Sequence, residues 1–150
     1  MLIGAVSDTH GTLPESIDAA FAGVELIVHA GDVGSQAVLV RLEAIAPVIA
    51  VRGNMDTGEL EWRLPDTAAP RFGGHRLLIA HKKTAVAGGP PPGVDVVITG
   101  HTHRAAVERV GGVLFVNPGS AGGHNRDGRG PTAALLDLSA QPLTATIVDL

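Results

Sequence analysis

Apolar runs alternate with amphipathic segments in the first half of the chain, and this order constrains the fold more than any other feature. Residues 2–7, 24–30 and 47–51 are short apolar runs of the kind that form strands buried on both faces. Residues 14–22 and 35–45 between them are predicted helices. A β-α-β-α-β order requires parallel strands joined by right-handed crossovers. We therefore expect an α/β fold, and we expect Thr12 to cap the first helix.

The second half is richer in strands. Residues 55–70 are irregular, with at most a short helical turn around Leu60. Beyond them the alternation of apolar runs with glycine turns predicts a hairpin, a buried strand, a second hairpin and two final strands, at 71–72 with 75–80, 94–99, 105–110 with 113–116, 132–138 and 143–148. The sequence thus predicts two sheets, a partly parallel one from the first half and a strand-rich one from the second.

Composition narrows the class of protein. A chain of 150 residues with 45% hydrophobic residues fits one domain spanning residues 1–150. No apolar run approaches the roughly 18 residues of a membrane span, and the first residues lack the basic start of a signal peptide. We therefore expect a cytoplasmic protein with no membrane partner. The net charge of −4 disfavours tight, nonspecific nucleic-acid binding, which leaves nucleic acid only as a possible substrate.

Polar side chains stand just beyond the carboxyl end of one predicted strand after another. They are Asp8, His10, Asp32, Asn54, His81, His101 and His103. Each has an ordinary structural explanation when taken alone, such as an Asx turn or a tight turn. In open α/β sheets, however, the loops at this edge converge on one crevice. Their joint occurrence therefore predicts a ligand site.

The types of side chain in this set point to metal ions. Cysteine is absent, which leaves carboxylate, amide and imidazole groups as ligands. Seven protein ligands exceed what one octahedral ion needs, and they suit two ions that share a bridging carboxylate. Manganese, iron and zinc all fit a mixed oxygen and nitrogen set without sulfur. We expect two divalent cations, with Mn²⁺ foremost and Fe, Zn, Ni or Co as alternatives.

Five short motifs follow one another along the chain, namely Asp8-x-His10, Gly31-Asp32, Gly53-Asn54, a lone His81 after a strand, and Gly100-His-x-His103. This ordered set resembles that of the calcineurin-like metallophosphoesterase superfamily. The short length and the Asn117-Pro-Gly-Ser120 segment are similar to the small bacterial and archaeal phosphodiesterase branch.

The resemblance implies both a fold and a chemistry. The fold is a four-layer α/β/β/α sandwich of two mixed sheets flanked by helices. The activity is metal-dependent hydrolysis of a small phosphodiester, in which a metal-bridging hydroxide attacks the phosphate in line and Asp32, Asn54 and His101 position it and the substrate. By motif position, Asp8, His10 and His103 hold the first ion and Asn54, His81 and His101 the second. Asp32 bridges the two, so His101 and His103 serve different ions.

The sequence departs from the superfamily at two positions. Many members have a histidine after Gly-Asn that protonates the leaving group, whereas this chain has Met55 there. Methionine cannot transfer a proton, so we expect a preference for diesters with good leaving groups. After His81 the chain has Lys82 and Lys83, which either contact substrate phosphate or form a solvated charge pair.

Three further histidines are predicted to lie outside the ligand set. We expect His29 to be buried and hydrogen-bonded rather than a ligand, and His75 and His124 to lie at the surface. A homo-oligomer stays open, with Leu60 and Trp62 as a candidate patch. The alternative to an enzyme is a protein-interaction scaffold of the same fold, of the kind found in the eukaryotic retromer coat.

Overall fold

The computed structural model describes residues 1–150, and it contains eleven strands and three short α-helices. The strands are β1 (Leu2–Val6), β2 (Leu26–His29), β3 (Val48–Ala50), β4 (Thr67–Ala68), β5 (Arg71–Phe72), β6 (His75–Ala80), β7 (Val96–Ile98), β8 (Ala106–Val110), β9 (Val113–Asn117), β10 (Thr132–Asp137) and β11 (Thr144–Asp149). The helices are α1 (Ile17–Ala20), α2 (Gln36–Glu43) and α3 (Glu59–Arg63), and Lys83–Val86 forms a 3₁₀ turn.

Two mixed sheets form the centre of the molecule. The first has the order β11-β10-β1-β2-β3, in which β1, β2 and β3 are parallel as predicted. The second has the order β4-β6-β7-β9-β8, with β6, β7 and β9 parallel and β5 paired to β6 as the predicted hairpin. Sixteen buried residues pack between the two sheets, including Ile3, Val28, Ile79 and Ile98. This apolar interior is the main source of stability, because it removes the inner face of each sheet from water.

The outer layers differ in thickness. Helices α1, α2 and α3 cover the outer face of the first sheet through buried side chains such as Phe21, Leu42 and Leu60. The second sheet is covered by the 3₁₀ turn and the loop after it, where Val86 and Val94 pack on strand residues. The expected architecture of two mixed sheets flanked by helices is confirmed. The helices are few and short. No helix in the structure is both long and apolar enough to cross a bilayer.

Three local expectations were wrong. Strands β10 and β11 join the first sheet rather than the second, since β10 pairs antiparallel with β1. Helix α1 is shorter than predicted, and Ser16 rather than Thr12 stands at its N-cap position. The residues before it are held in a loop instead, because His10 N–H donates to the Asp32 carbonyl and Gly11 N–H to the Val33 carbonyl. These backbone bonds tie the loop after β1 to the loop after β2.

Candidate metal centre

The seven predicted ligands lie on loops that meet at one edge of the two sheets. Asp8 and His10 follow β1, Asp32 follows β2, and Asn54 lies in the loop after β3. His81 follows β6, while His101 and His103 follow β7. Every one of these strands runs parallel to a neighbour in its sheet, so their carboxyl ends point to the same edge.

Asp8, His10 and His103 form a first group of converging ligand atoms. His103 Nε2 lies 3.1 Å from Asp8 Oδ1 and 3.3 Å from His10 Nε2. His103 Nδ1 lies 3.1 Å from the carbonyl oxygen of His124, so that nitrogen carries the hydrogen and donates it. In the neutral ring, Nε2 of His103 then presents a lone pair to the group.

A second group forms around His81. His81 Nε2 lies 3.0 Å from Asn54 Oδ1, 3.3 Å from Asp32 Oδ2 and 4.0 Å from Asp8 Oδ1. His81 Nδ1 donates to the Ala30 carbonyl at 2.8 Å, which again leaves a lone pair on Nε2. His81 is 5% exposed, Asp32 2% and Asp8 not at all, so water does not surround these groups.

The donor set fits divalent cations. Lone pairs of two imidazoles face carboxylate and amide oxygens, an arrangement that is repulsive unless a positive charge lies between them. Atoms bound about 2.1 Å from a shared ion lie about 3.0 to 3.4 Å apart in octahedral or tetrahedral geometry. The shortest distances in both groups fall in this range. The residues therefore suit a bound metal in each group.

Local electrostatics agree with this fit. Burial raises the pKa of Asp32, but hydrogen bonds from His81 and from Met55 N–H, with the charges of His81 and His10, bring it below its usual value. Burial lowers the pKa of His81, yet the Asp32 hydrogen bond and the Ala30 carbonyl raise it above its usual value overall. The Asp32 carboxylate thus favours a positive charge beside His81.

His101 lies beside the second group but outside its converging atoms. Its ring centroid is 5.1 Å from that of His81, and the two rings are edge to face. Burial, followed by the charges of His81 and Lys82, lowers the pKa of His101, which keeps the imidazole neutral and able to bind a cation. Its backbone N–H donates to Asp8 Oδ2 at 2.9 Å and holds the Asp8 carboxylate in place.

Backbone strain is concentrated in the same residues. Five non-glycine residues have positive φ, and all five belong to the predicted ligand set, namely Asp8, His10, Asp32, His101 and His103, with φ between 47° and 68°. A non-glycine residue in this region costs of order 1–3 kcal/mol, and such residues cluster at functional sites. The fold therefore tolerates strain where the loops turn to aim these side chains inward.

At two motif positions the backbone lies so close to a neighbouring side chain that only glycine fits. A Cβ at Gly53 would lie 2.0 Å from Asp32 Oδ1, and one at Gly100 would lie 1.8 Å from Ser7 Oγ and 2.6 Å from Asp8 Oδ2. Backbone of the neighbouring loop thus packs directly against each carboxylate. Any side chain at either position would displace a predicted ligand.

Comparison with known proteins decides the family. A model of the calcineurin-like phosphoesterase superfamily domain matches residues 1–141. The chain belongs to this superfamily. A probable metallophosphoesterase from Methanothermobacter thermautotrophicus is 37% identical over 133 residues, covering 80% of this chain and 77% of the relative. The phosphoesterase is therefore a metal-dependent hydrolase.

Solved structures agree with the family. The structure of an archaeal phosphodiesterase matches the phosphoesterase with a TM-score of 0.80 and 31% identity, covering 100% of both chains. Wild-type Vps29 from Entamoeba histolytica, complexed with Zn²⁺, matches with a TM-score of 0.77 and 23% identity, covering 99% of both chains. The likeness to Vps29 shows a shared fold.

Several residues for which the sequence predicted no role keep the ligand residues of the phosphoesterase in position. Ser7 Oγ donates to Asp8 Oδ2 at 2.6 Å, and Ser120 Oγ donates to the Asp8 carbonyl at 2.7 Å. Asp56 accepts from Gly34 N–H at 2.9 Å and from Gly53 N–H at 2.8 Å. The buried Asp56 carboxylate thereby joins the loops that carry Asp32 and Asn54.

Asn117 and His124 both lie close to the predicted ligands in the phosphoesterase. Asn117 donates to the Gly100 carbonyl at 2.9 Å and supports the loop that carries His101 and His103. The His124 side chain is exposed, as expected, although its ring centroid lies 5.5 Å from that of His10.

His29 is a buried histidine with a fixed tautomer, as expected. Thr9 Oγ1 donates to the Val33 carbonyl, so it accepts from His29 Nε2–H at 2.9 Å. His29 Nδ1 accepts from Gly31 N–H at 3.2 Å. A second proton would have to occupy Nδ1 and face that N–H. Burial, opposed only in part by Asp56, accordingly lowers the pKa of His29 to about 4.

Acid should therefore destabilise the metal-free phosphoesterase through His29. The pKa of His29 is about 4 in the folded protein and 6.5 in the unfolded chain. The contribution of His29 to the free energy of unfolding is therefore fully present above pH 6.5 and is lost as the pH falls toward 4. The loss reaches up to about 3 kcal/mol. Urea unfolding in EDTA at pH 7 and pH 4.5 should show a smaller loss for His29→Gln than for wild type. Equal losses in both proteins would rule out this role.

Proposed function

We propose that this chain is a phosphodiesterase with a dinuclear metal centre. Asp8, His10 and His103 hold one divalent cation, and Asn54, His81 and His101 hold the other. Asp32 bridges the two, since its Oδ2 lies 3.3 Å from His81 Nε2 in one group and 4.0 Å from His10 Nε2 in the other.

One observation carries the proposal. Two sets of lone pairs converge on separate points, one through His103 Nε2 and one through His81 Nε2, and buried Asp8 and Asp32 carboxylates lie between them. A single ion would leave one set uncompensated. The strained backbone at five of the seven residues supports the same assignment, because strain of this kind persists where side chains must be aimed.

Divalent cations held by these residues would supply the positive charge that activates water and neutralises the phosphoryl oxygens of the substrate. The protein supplies positioning and charge. Asp32 is held by Met55 N–H at 2.8 Å and Asp8 by Ser7 and by His101 N–H, so the carboxylates do not reorient as charge develops. Asn54 and His101 are exposed, and they form the side of the centre that substrate reaches.

A small phosphodiester is the proposed substrate class. The archaeal neighbour at 31% identity is a phosphodiesterase. Mn²⁺ is the proposed cation, with Fe, Zn, Ni or Co as alternatives, since the ligand set mixes carboxylate, amide and imidazole groups.

Purified protein freed of metal with EDTA and reloaded with Mn²⁺ should hydrolyse bis-p-nitrophenyl phosphate, and the EDTA-treated protein should not. His103→Ala removes a ligand of the first ion and should abolish most of this turnover. His75→Ala is the matched control, because His75 pairs with Asp95 outside the metal centre. Metal-independent turnover, or equal turnover by the His103 and His75 variants, would contradict the proposal.

The scaffold hypothesis predicts no metal-dependent turnover in the same assay. Its support is the fold shared with Vps29. All seven ligand positions are filled here, and the superfamily membership is shared with the metallophosphoesterases. A scaffold would bind metal without accelerating diester hydrolysis, so the assay with bis-p-nitrophenyl phosphate separates the two functions.

A further inference from the structure

A polar cavity of about 400 Å³ opens beside the second group of ligands. Asn54 and His81 lie in its wall, so a phosphodiester held at the metal centre would place one ester group in this space. The volume is within the range of small-molecule sites. The segment between β3 and β4 forms one side of the cavity through Glu61 and Asp66, and Lys82 with Ala85 forms the other.

Arg52 fixes the outer wall of the polar cavity. Its Nε donates to Asp66 Oδ1 at 2.6 Å, and its Nη1 donates to the Glu61 carbonyl at 2.9 Å. Its backbone N–H also donates to the Pro65 carbonyl at 2.9 Å. These bonds hold the segment against the end of β3 and leave the other guanidinium N–H groups free to donate.

The lining predicts the chemistry of the occupant. Only two of the eleven lining residues are hydrophobic, Ala80 and Ala85, and neither is aromatic. Arg52, Lys82 and Thr67 supply donors to the lining, and the carboxylates of Asp56, Glu61 and Asp66 supply acceptors. A hydroxyl group both donates and accepts, so it suits such a wall. A second anionic group would meet the three carboxylates of the lining.

A nucleobase does not fit this lining well. Bases bind proteins largely by stacking on aromatic side chains, and no Phe, Tyr or Trp lines the polar cavity. Its one imidazole, His81, directs Nε2 at Asn54 and Asp32 of the metal centre. A separate cavity of about 180 Å³ contains Phe115, with Lys83 Nζ 5.4 Å from its ring centroid. An aromatic substrate group would pack better in that cavity, against Phe115.

We propose that the polar cavity binds a neutral, hydroxyl-rich alcohol portion of the phosphodiester, such as a glyceryl group or a sugar that carries no base. The inference rests on the proposed phosphodiesterase function and names the substrate class of that site.

The test uses p-nitrophenyl diesters that share one leaving group. Metal-loaded protein is assayed on glyceryl, propyl and thymidine 5′ p-nitrophenyl phosphate, and the ratio of kcat/KM values reports the contribution of the second ester group. The glyceryl ester should exceed the propyl ester by about tenfold, the effect of one or two added hydrogen bonds. Calorimetric titration with glycerol 1-phosphate and propyl phosphate should show the same ratio in affinity without turnover.

Arg52→Met removes the pair that fixes the wall and should reduce both ratios to near one. Arg129→Met is the matched control, since Arg129 forms an exposed 2.6 Å pair with Asp149 outside the cavity. A glyceryl-to-propyl ratio within about twofold in wild type, or a preference for the thymidine ester, would overturn the inference while leaving phosphodiesterase activity intact. Failure to hydrolyse any of the diesters with metal would overturn the proposed function itself, and this inference with it.

Discussion

Asp32→Asn is expected to lower metal-dependent kcat/KM on bis-p-nitrophenyl phosphate by about 10³-fold or more, equivalent to roughly 4 kcal/mol of lost transition-state stabilisation. The substitution keeps the shape of the side chain, and Oδ1 can still accept from Met55 N–H. It removes the negative charge that is proposed to hold both cations. The measurement is initial rate against substrate concentration at saturating Mn²⁺.

Asp18→Asn is the matched control for that experiment. Asp18 pairs with Arg41 at 2.7 Å on the surface near α1 and α2, away from the metal centre. Its variant should keep wild-type kinetics, because an exposed pair contributes little to stability. Activity of Asp32→Asn within tenfold of the Asp18 variant would contradict the bridging role.

Met55→His is expected to raise kcat/KM on an alkyl phosphate monoester by about 10²-fold, the lower end of what general-acid catalysis contributes. Wild type should strongly prefer the aryl diester, because methionine cannot protonate a poor leaving group. The Met55 side chain is 62% exposed, so its replacement disturbs no core packing. Its N–H bond to Asp32 keeps the new imidazole beside the centre.

Met55→Phe controls for ring size without a titratable nitrogen. The gain in Met55→His should also appear as a new ionisation in the pH profile of kcat. If the two variants show the same monoester activity, or if wild type hydrolyses the monoester faster than the aryl diester, proton donation is not what this chain lacks.

The fold was predictable where the signal is local. Apolar runs with helical segments between them indicated β1, β2 and β3 as parallel neighbours, and Ser35 caps α2 by accepting from Ala37 N–H at 3.2 Å. The pairing of β10 with β1 was not predictable, because no local pattern in a strand names its partner. The short α1 likewise depends on backbone bonds to another loop.

The residues of the candidate site were also predictable, from their positions in the sequence. Each predicted ligand stands just beyond an apolar run, and the sheet edge brings such residues together. The supporting roles of Ser7 and Asp56 could not be predicted, since they depend on which backbone N–H groups and carboxylates the folded loops bring within reach. The close approach at Gly100 is also a product of the tertiary fold.

A crystal structure of the Mn²⁺-loaded protein, with anomalous scattering to locate the ions, would show directly how many cations bind and which residues hold them. We expect two ions about 3.5 to 4 Å apart with Asp32 between them. His101 should bind one ion and His103 the other. A single ion bound by both histidines, or two ions without Asp32 between them, would contradict this assignment of ligands.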